Sequence, residues 1–258
     1  MSVPNLKRKA KQPEENEEVI EKINSLSPTE FHDRFFGTSS LLCFRDYDLT
    51  LKAIRNMSKA DLTSCFDLIG NTSLEDYKTS ERGWNPKQKL AEMQEDNMQY
   101  LLVRKRMNDS NPSDDHLKTS SEDSKTECHR QFHEDNELAG FVSFMFTIED
   151  DYPVVYIYEI HLGDSHRGCG LGRHLMNTVE RCAKEGMVDK VMLTCFRKNS
   201  TALAFYTKLG FGEDEFSPTP KRLRGGKIKY PSYMIMSKSL RASLSQRACR
   251  TLPGRAAP

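Results

Sequence analysis

The chain has 258 residues, 37% of them apolar and 29% charged, with a formal net charge of +1. That length suits one domain of ordinary size with polar tails. The balanced charge selects no partner for the chain as a whole, and no run of 18 apolar residues offers a membrane span. Seven scattered cysteines without a C-x-x-C pair argue against a disulfide framework and fit a reducing compartment, nucleus or cytosol.

Residues 1–25 are first basic (Lys7-Arg8-Lys9-Ala10-Lys11), then acidic (Glu14, Glu15, Glu17, Glu18, Glu21). No apolar stretch follows the basic cluster, so a secretory signal is not expected. The cluster reads either as a nuclear import signal or as part of a solvated, disordered tail. A short helix in the acidic half is left open. Residues 26–97 are expected to be an N-terminal helical segment and the start of the core domain. Within it, periodicity predicts a helix over 58–68, a polar segment over 71–85 with Tyr77 and the sole tryptophan, Trp84, and a helix over 86–95 opened by Pro86.

A core domain over 98–240 follows, with strands at 100–103 and 139–148. Between them, residues 107–137 are rich in Ser, Asp, Glu and Asn and are expected to be disordered. Cys128, His129 and His133 in that insertion match no standard zinc spacing. The second half is patterned more clearly: a strand at 154–162, a helix at 171–184, an apolar strand at 190–196, a helix at 201–208 ended by Gly210, and a strand at 233–236. Residues 241–258 carry four arginines and no acid, and read as a flexible basic tail.

The segment Arg167-Gly168-Cys169-Gly170-Leu171-Gly172-Arg173 lies between a predicted strand and a predicted helix. Three glycines in five positions let a backbone approach something closely, and the helix start adds unpaired N–H groups and a positive dipole end. Together they suit a pyrophosphate, although a glycine-rich structural turn would show the same residues. No G-x-x-x-x-G-K-[ST] loop is present, and the G-x-G-x-x-G fingerprint would need glycine at Arg173.

The order of pieces carries more. Arg-x-x-Gly-x-Gly follows Tyr156-Ile157-Tyr158-Glu159-Ile160-His161-Leu162 and precedes an amphipathic helix. A buried strand, Asn199, and Ala204-Phe205-Tyr206-Thr207-Lys208-Leu209-Gly210-Phe211 come after it. Over about 98–240 this series resembles the GCN5-related (GNAT) N-acetyltransferases. The resemblance implies an α+β, mixed α/β fold: a central twisted mixed β-sheet flanked by helices. It implies acetyl-CoA as cofactor, with Arg167, Gly168, Cys169, Gly170, Leu171, Gly172 and Arg173 on the pyrophosphate and Asn199 and Tyr206 beside the pantetheine arm. It also implies a backbone N–H near Ile160, His161 and Leu162 that stabilises the thioester oxygen.

Further pieces are similar to one branch of that family, the histone N-terminal acetyltransferases (NatD): residues 77–84, 155–159 and 190–196, with Phe216-Ser217-Pro218 and Ser232-Tyr233. That branch acetylates the α-amine of histone four and histone two-A, whose tails begin Ser-Gly-Arg-Gly. The similarity implies a peptide groove walled by Tyr77, Tyr156, Tyr158 and Tyr233, with Thr194 near the substrate terminus and Glu149 on the substrate arginine. Arg82 stands where the branch has tryptophan and Thr147 where it has an acid; both positions line its peptide site.

Glu159 is a carboxylate inside an apolar strand, expensive unless used or paired. The resemblance makes it the general base, with Tyr158 as a second catalytic group; a structural ion pair is the other reading. The basic run 221–229 reads either as a contact for nucleosomal DNA or ribosomal RNA, placed to one side of the groove, or as a solvated loop. A monomer of the nucleus and cytoplasm, without a metal, is expected.

Overall fold

The computed structural model describes residues 13–37, 42–106 and 137–240. The expected disordered insertion, its Cys128, His129 and His133, the Lys7–Lys11 cluster and the basic tail lie outside those residues.

Eight strands make the framework: β1 (Cys43–Phe44), β2 (Tyr47–Ala53), β3 (Gln99–Lys105), β4 (Leu138–Glu149), β5 (Tyr152–Leu162), β6 (Lys190–Phe196), β7 (Gly212–Glu213) and β10 (Tyr233–Ser239). They form one mixed sheet in the order β1-β2-β3-β4-β5-β6-β10-β7. All neighbours run antiparallel except β5 and β6. A small separate hairpin pairs β8 (Lys221–Arg222) with β9 (Ile228–Lys229). The β4–β5 connection is two residues, Asp150 and Asp151, at φ 47° and 68°, the left-handed pair that matches the twist of a tight hairpin.

Helices cover both faces. On one side lie α1 (Pro13–Asn24), α2 (Pro28–Phe35) and α5 (Leu171–Glu185), over Leu101, Val142, Phe144, Val155, Ile157 and Val191. On the other lie α3 (Lys59–Thr79) and α4 (Pro86–Met93), over Tyr100, Leu102, Phe141 and Met145. The last helix is α6 (Ser200–Lys208).

Three expectations need correction. Residues 1–25 are not disordered throughout: α1 buries Ile20 and Ile23, and Asn24 Nδ2 donates to the Phe146 carbonyl at 3.1 Å. The surrounding acids and asparagines hide that apolar stripe in the sequence. Residues 26–97 are not purely helical, because β2 pairs along its whole length with β3. The third helix does not stop near residue 68. It continues to Thr79 through Asn71, Thr72 and Ser73, where the Thr72 hydroxyl meets both the Leu68 carbonyl at 2.7 Å and His161 Nδ1 at 2.6 Å. Tertiary bonding outweighs the weak helix propensity there.

Candidate active site

Two backbone irregularities make the site. β5 and β6 pair in parallel from Val154–Lys190 to Ile157–Leu193 and no further, although β5 runs on to Leu162. The two strands part, and the edge of 158–162 that faces β6 is left open. The β4–β5 register also slips between Ser143–Glu159 and Phe144–Ile157, so Tyr158 is the extra residue of a bulge. In a regular strand, Glu159 would share the α1/α5 face with Ile157. The bulge instead turns Tyr158 and Glu159 both toward α3 and α4, while Ile160 returns to the first core.

A cleft of about 1140 Å³ follows this opening. Arg167, Gly168, Gly170, Gly172 and Arg173 line it at and before the start of α5, and Lys198, after β6, lines it too. Gly170 caps α5 at φ 93° and a Cβ there would stand 3.5 Å from the Phe44 ring; glycine avoids the left-handed penalty. Gly140 lets the end of β5 come close, since a Cβ on it would lie 2.6 Å from the His161 carbonyl oxygen. These free N–H groups and cations fit the pyrophosphate of acetyl-CoA, and the open β5 edge beside Asn199, Phe205 and Tyr206 fits an extended pantetheine.

The cleft is also walled by Tyr77, Arg82, Glu149, Tyr156, Tyr158, Thr194 and Tyr233. The Tyr156 hydroxyl and Thr194 Oγ1 are 2.6 Å apart, and the Arg82 guanidinium lies 5.2 Å from the Tyr233 ring centre. Glu92, Glu95 and Glu149 line the cleft too. Burial pushes the Glu149 carboxyl above its usual range, helped by Asp150. Burial, with Glu95, Glu149 and Glu92 nearby, pushes the Tyr158 phenol up to about 12. Tyr158 therefore keeps its proton at neutral pH.

The expected residues converge, with two exceptions. Leu171 is buried in the core, and Cys169 packs against it with Sγ 3.3 Å from the His166 carbonyl; neither lines the cleft. Asn199 does line it, but its side chain is committed to the fold. Its Oδ1 accepts from the Ala202 N–H at 3.0 Å, and its Nδ2 donates to Asp76 at 3.1 Å. No residue of the basic hairpin lines the cleft; it sits beside the rim, where Lys229 pairs with Glu81 at 2.7 Å, next to Arg82.

Glu159 departs most from its expected part as general base. One oxygen accepts from the Tyr77 hydroxyl and the Lys89 ammonium, each at 2.8 Å, and the other from His161 Nε2 at 2.6 Å. Burial alone would raise its pKa, but the hydrogen bond and charge of His161 and of Lys89 together hold it down at about 2. Such a carboxylate is a charged anchor and a poor proton acceptor. Sequence reasoning missed Lys89 altogether; its signal, a lysine on an amphipathic helix, is the commonest kind of surface residue.

Residues 90–211 match the sequence model of the acetyltransferase (GNAT) family, and the mixed sheet with one splayed parallel pair is the GNAT fold. A curated relative, N-alpha-acetyltransferase 40 of Saccharomyces cerevisiae, is 35% identical over 120 residues, covering 36% of this chain and 42% of that protein. The chain thus spans less than half of the curated relative it matches. Among solved structures, NAA60 of Arabidopsis thaliana in complex with a bisubstrate analogue is 12% identical at a TM-score of 0.47, covering 75% of this chain and 99% of that one. Spermidine N-acetyltransferase of Vibrio cholerae with CoA and spermine is 17% identical at 0.45, covering 74% and 95%.

Proposed function

We propose that this GNAT-fold chain is an acetyl-CoA-dependent N-α-acetyltransferase acting on the free N-terminus of histone four and histone two-A. The observation that carries the reading is the parting of β5 and β6 beyond Ile157 and Leu193, with an anion-binding glycine loop on one side and a tyrosine- and carboxylate-lined groove on the other. Acetyl-CoA supplies the activated thioester. The chain positions the amine, excludes water and handles protons.

An α-amine, with pKa about 8, is already about a quarter neutral at pH 7.5, whereas a lysine near 10.4 is neutral in only about one molecule per thousand. A groove whose buried carboxylate is held at about 2 by three donors suits the first amine better than the second. The amine proton then needs no stronger acceptor than water or a tyrosine oxygen. Tyr158, a neutral phenol that lines the cleft, is in this reading the group that returns a proton to the departing sulfur. Glu149, with Glu92 and Glu95, supports recognition of the arginine in Ser-Gly-Arg-Gly. The hairpin at the rim supports a contact with nucleosomal DNA or ribosomal RNA, for a monomer working in nucleus and cytoplasm.

An acetylation assay on Ser-Gly-Arg-Gly-Lys peptides tests the reading. Blocking the N-terminus should abolish transfer, and replacing the lysine should not. Transfer to the blocked peptide would instead make this a lysine-directed enzyme.

A further inference from the structure

Lys89 is a lysine that the fold has removed from water. Its side chain is 7% exposed, its ammonium sits 4.9 Å from the centre of the Tyr77 ring, and it bonds Glu159 at 2.8 Å and also Glu92. Burying an ammonium costs several kcal/mol, and α4 has exposed positions on its other side that would hold a lysine freely. The buried position therefore calls for a specific partner, and Glu159 is nearly as buried.

The contacts radiate from that pair. Glu159 Oε1 receives the Tyr77 hydroxyl, which fixes the end of a ring that walls the groove between Trp84 and Phe196, 5.3 and 5.0 Å away. Oε2 receives His161 Nε2–H, and the far side of that imidazole meets Thr72 on α3 at 2.6 Å. One carboxylate thus ties α3 and α4 to the open end of β5. It does so beside the bulge, next to the backbone where the strands part.

We propose that Lys89 is a positioning residue for acetyl transfer: its buried ion pair, beside the His161 hydrogen bond, holds the Glu159 carboxylate, and that carboxylate holds the Tyr77 hydroxyl and the 158–161 backbone in their working places. This rests on the acetyltransferase reading of the cleft. Without the ammonium, Glu159 keeps His161, Tyr77, Tyr100 and Tyr206 nearby; the tyrosines are neutral, because burial raises each. A buried carboxylate that has lost its cation takes up a proton more readily, and the O–H it then carries must donate from an oxygen that had only accepted, which disturbs the contact there.

The test measures turnover of the peptide and acetyl-CoA KM across pH 6 to 9 for Lys89→Met, Lys89→Arg, Glu159→Gln and the Lys89→Met/Glu159→Gln double variant. Lys89→Met should lose about 10- to 100-fold in kcat at pH 7, the scale of a small misplacement, with KM for acetyl-CoA unchanged. Its rate relative to the unaltered enzyme should climb with pH as Glu159 regains its charge. Lys89→Arg should restore most of the rate. Glu159→Gln should be slow with a flat relative profile, and the double variant should be no slower than Glu159→Gln. A flat profile for Lys89→Met, or a double variant clearly slower than Glu159→Gln, overturns the proposal. The acetyltransferase reading fails separately, by an unaltered chain that does not turn over. In that event the side-chain carboxyl 13C resonance of Glu159, assigned by its loss in Glu159→Gln, decides: it should report an ionised group at pH 6 in the unaltered chain and a protonated one in Lys89→Met, and an ionised group in Lys89→Met would overturn the claim.

Discussion

The Phe44 ring stacks on the His174 imidazole, with 4.7 Å between centroids and 26° between planes. Phe44 belongs to the short first strand and His174 to the first turn of α5, so the segment before the core domain braces the glycine loop from behind. The Tyr47 hydroxyl, 3.0 Å from His166 Nδ1, adds a second strut. Phe44→Ala should weaken CoA binding about tenfold, in keeping with the roughly 0.5–1.5 kcal/mol of an aromatic pair, and leave peptide KM alone. Calorimetry with CoA checks it; unchanged affinity would show that the loop stands without this brace.

Gly170→Glu places a side chain and a negative charge where the pyrophosphate is expected. The left-handed backbone at φ 93° adds about 1–2 kcal/mol of strain, which lowers the melting temperature without unfolding the domain. CoA affinity should fall by more than about 100-fold, roughly 3 kcal/mol. Normal affinity by calorimetry would remove this loop as the site.

Glu149→Gln tests the acidic end of the groove. A charge-assisted hydrogen bond is worth about 1.5–3 kcal/mol, so KM for Ser-Gly-Arg-Gly should rise by about tenfold or more. The same substitution should matter little for a peptide with alanine in place of that arginine. A double-mutant cycle without coupling would assign the arginine to Glu92 or Glu95 instead.

Acid should loosen the domain through Glu159. Its folded pKa lies near 2, below the ordinary value of 4.5, so the stability it supplies is complete above about pH 5 and is lost as pH falls toward 2. Glu159→Gln leaves Lys89 without its buried counter-charge and should melt lower at pH 7, yet lose less on acidification than the unaltered chain. Parallel melting curves from pH 7 to pH 3 would show that other carboxylates, such as Asp61 and Asp214, dominate acid unfolding.

The rim hairpin carries Lys221, Arg222, Arg224 and Lys227, all exposed. Replacing the four by serine should leave turnover of a short peptide unchanged. Binding to a DNA duplex should weaken, and the slope of log affinity against log salt should shrink by about 0.9 for each phosphate that the hairpin no longer neutralises. Equal duplex binding before and after would make the hairpin a solvated loop.

Local pattern determines much of this protein. The glycine loop, the apolar run of β6 and the stripe of α5 each follow a spacing set by backbone geometry, so they are legible within a dozen residues. The tyrosines and Glu149 could be assigned to one groove only because a family resemblance supplied the third dimension. Tertiary structure alone decided what Glu159 is. Its face depends on one extra residue in the register against β4, and its charge state depends on His161 together with a lysine 70 residues away in sequence. Neither a bulge nor a distant ion pair leaves a periodic trace. The same holds for β2 and for the full length of α3, whose polar residues find their partners only when the sheet has formed around them.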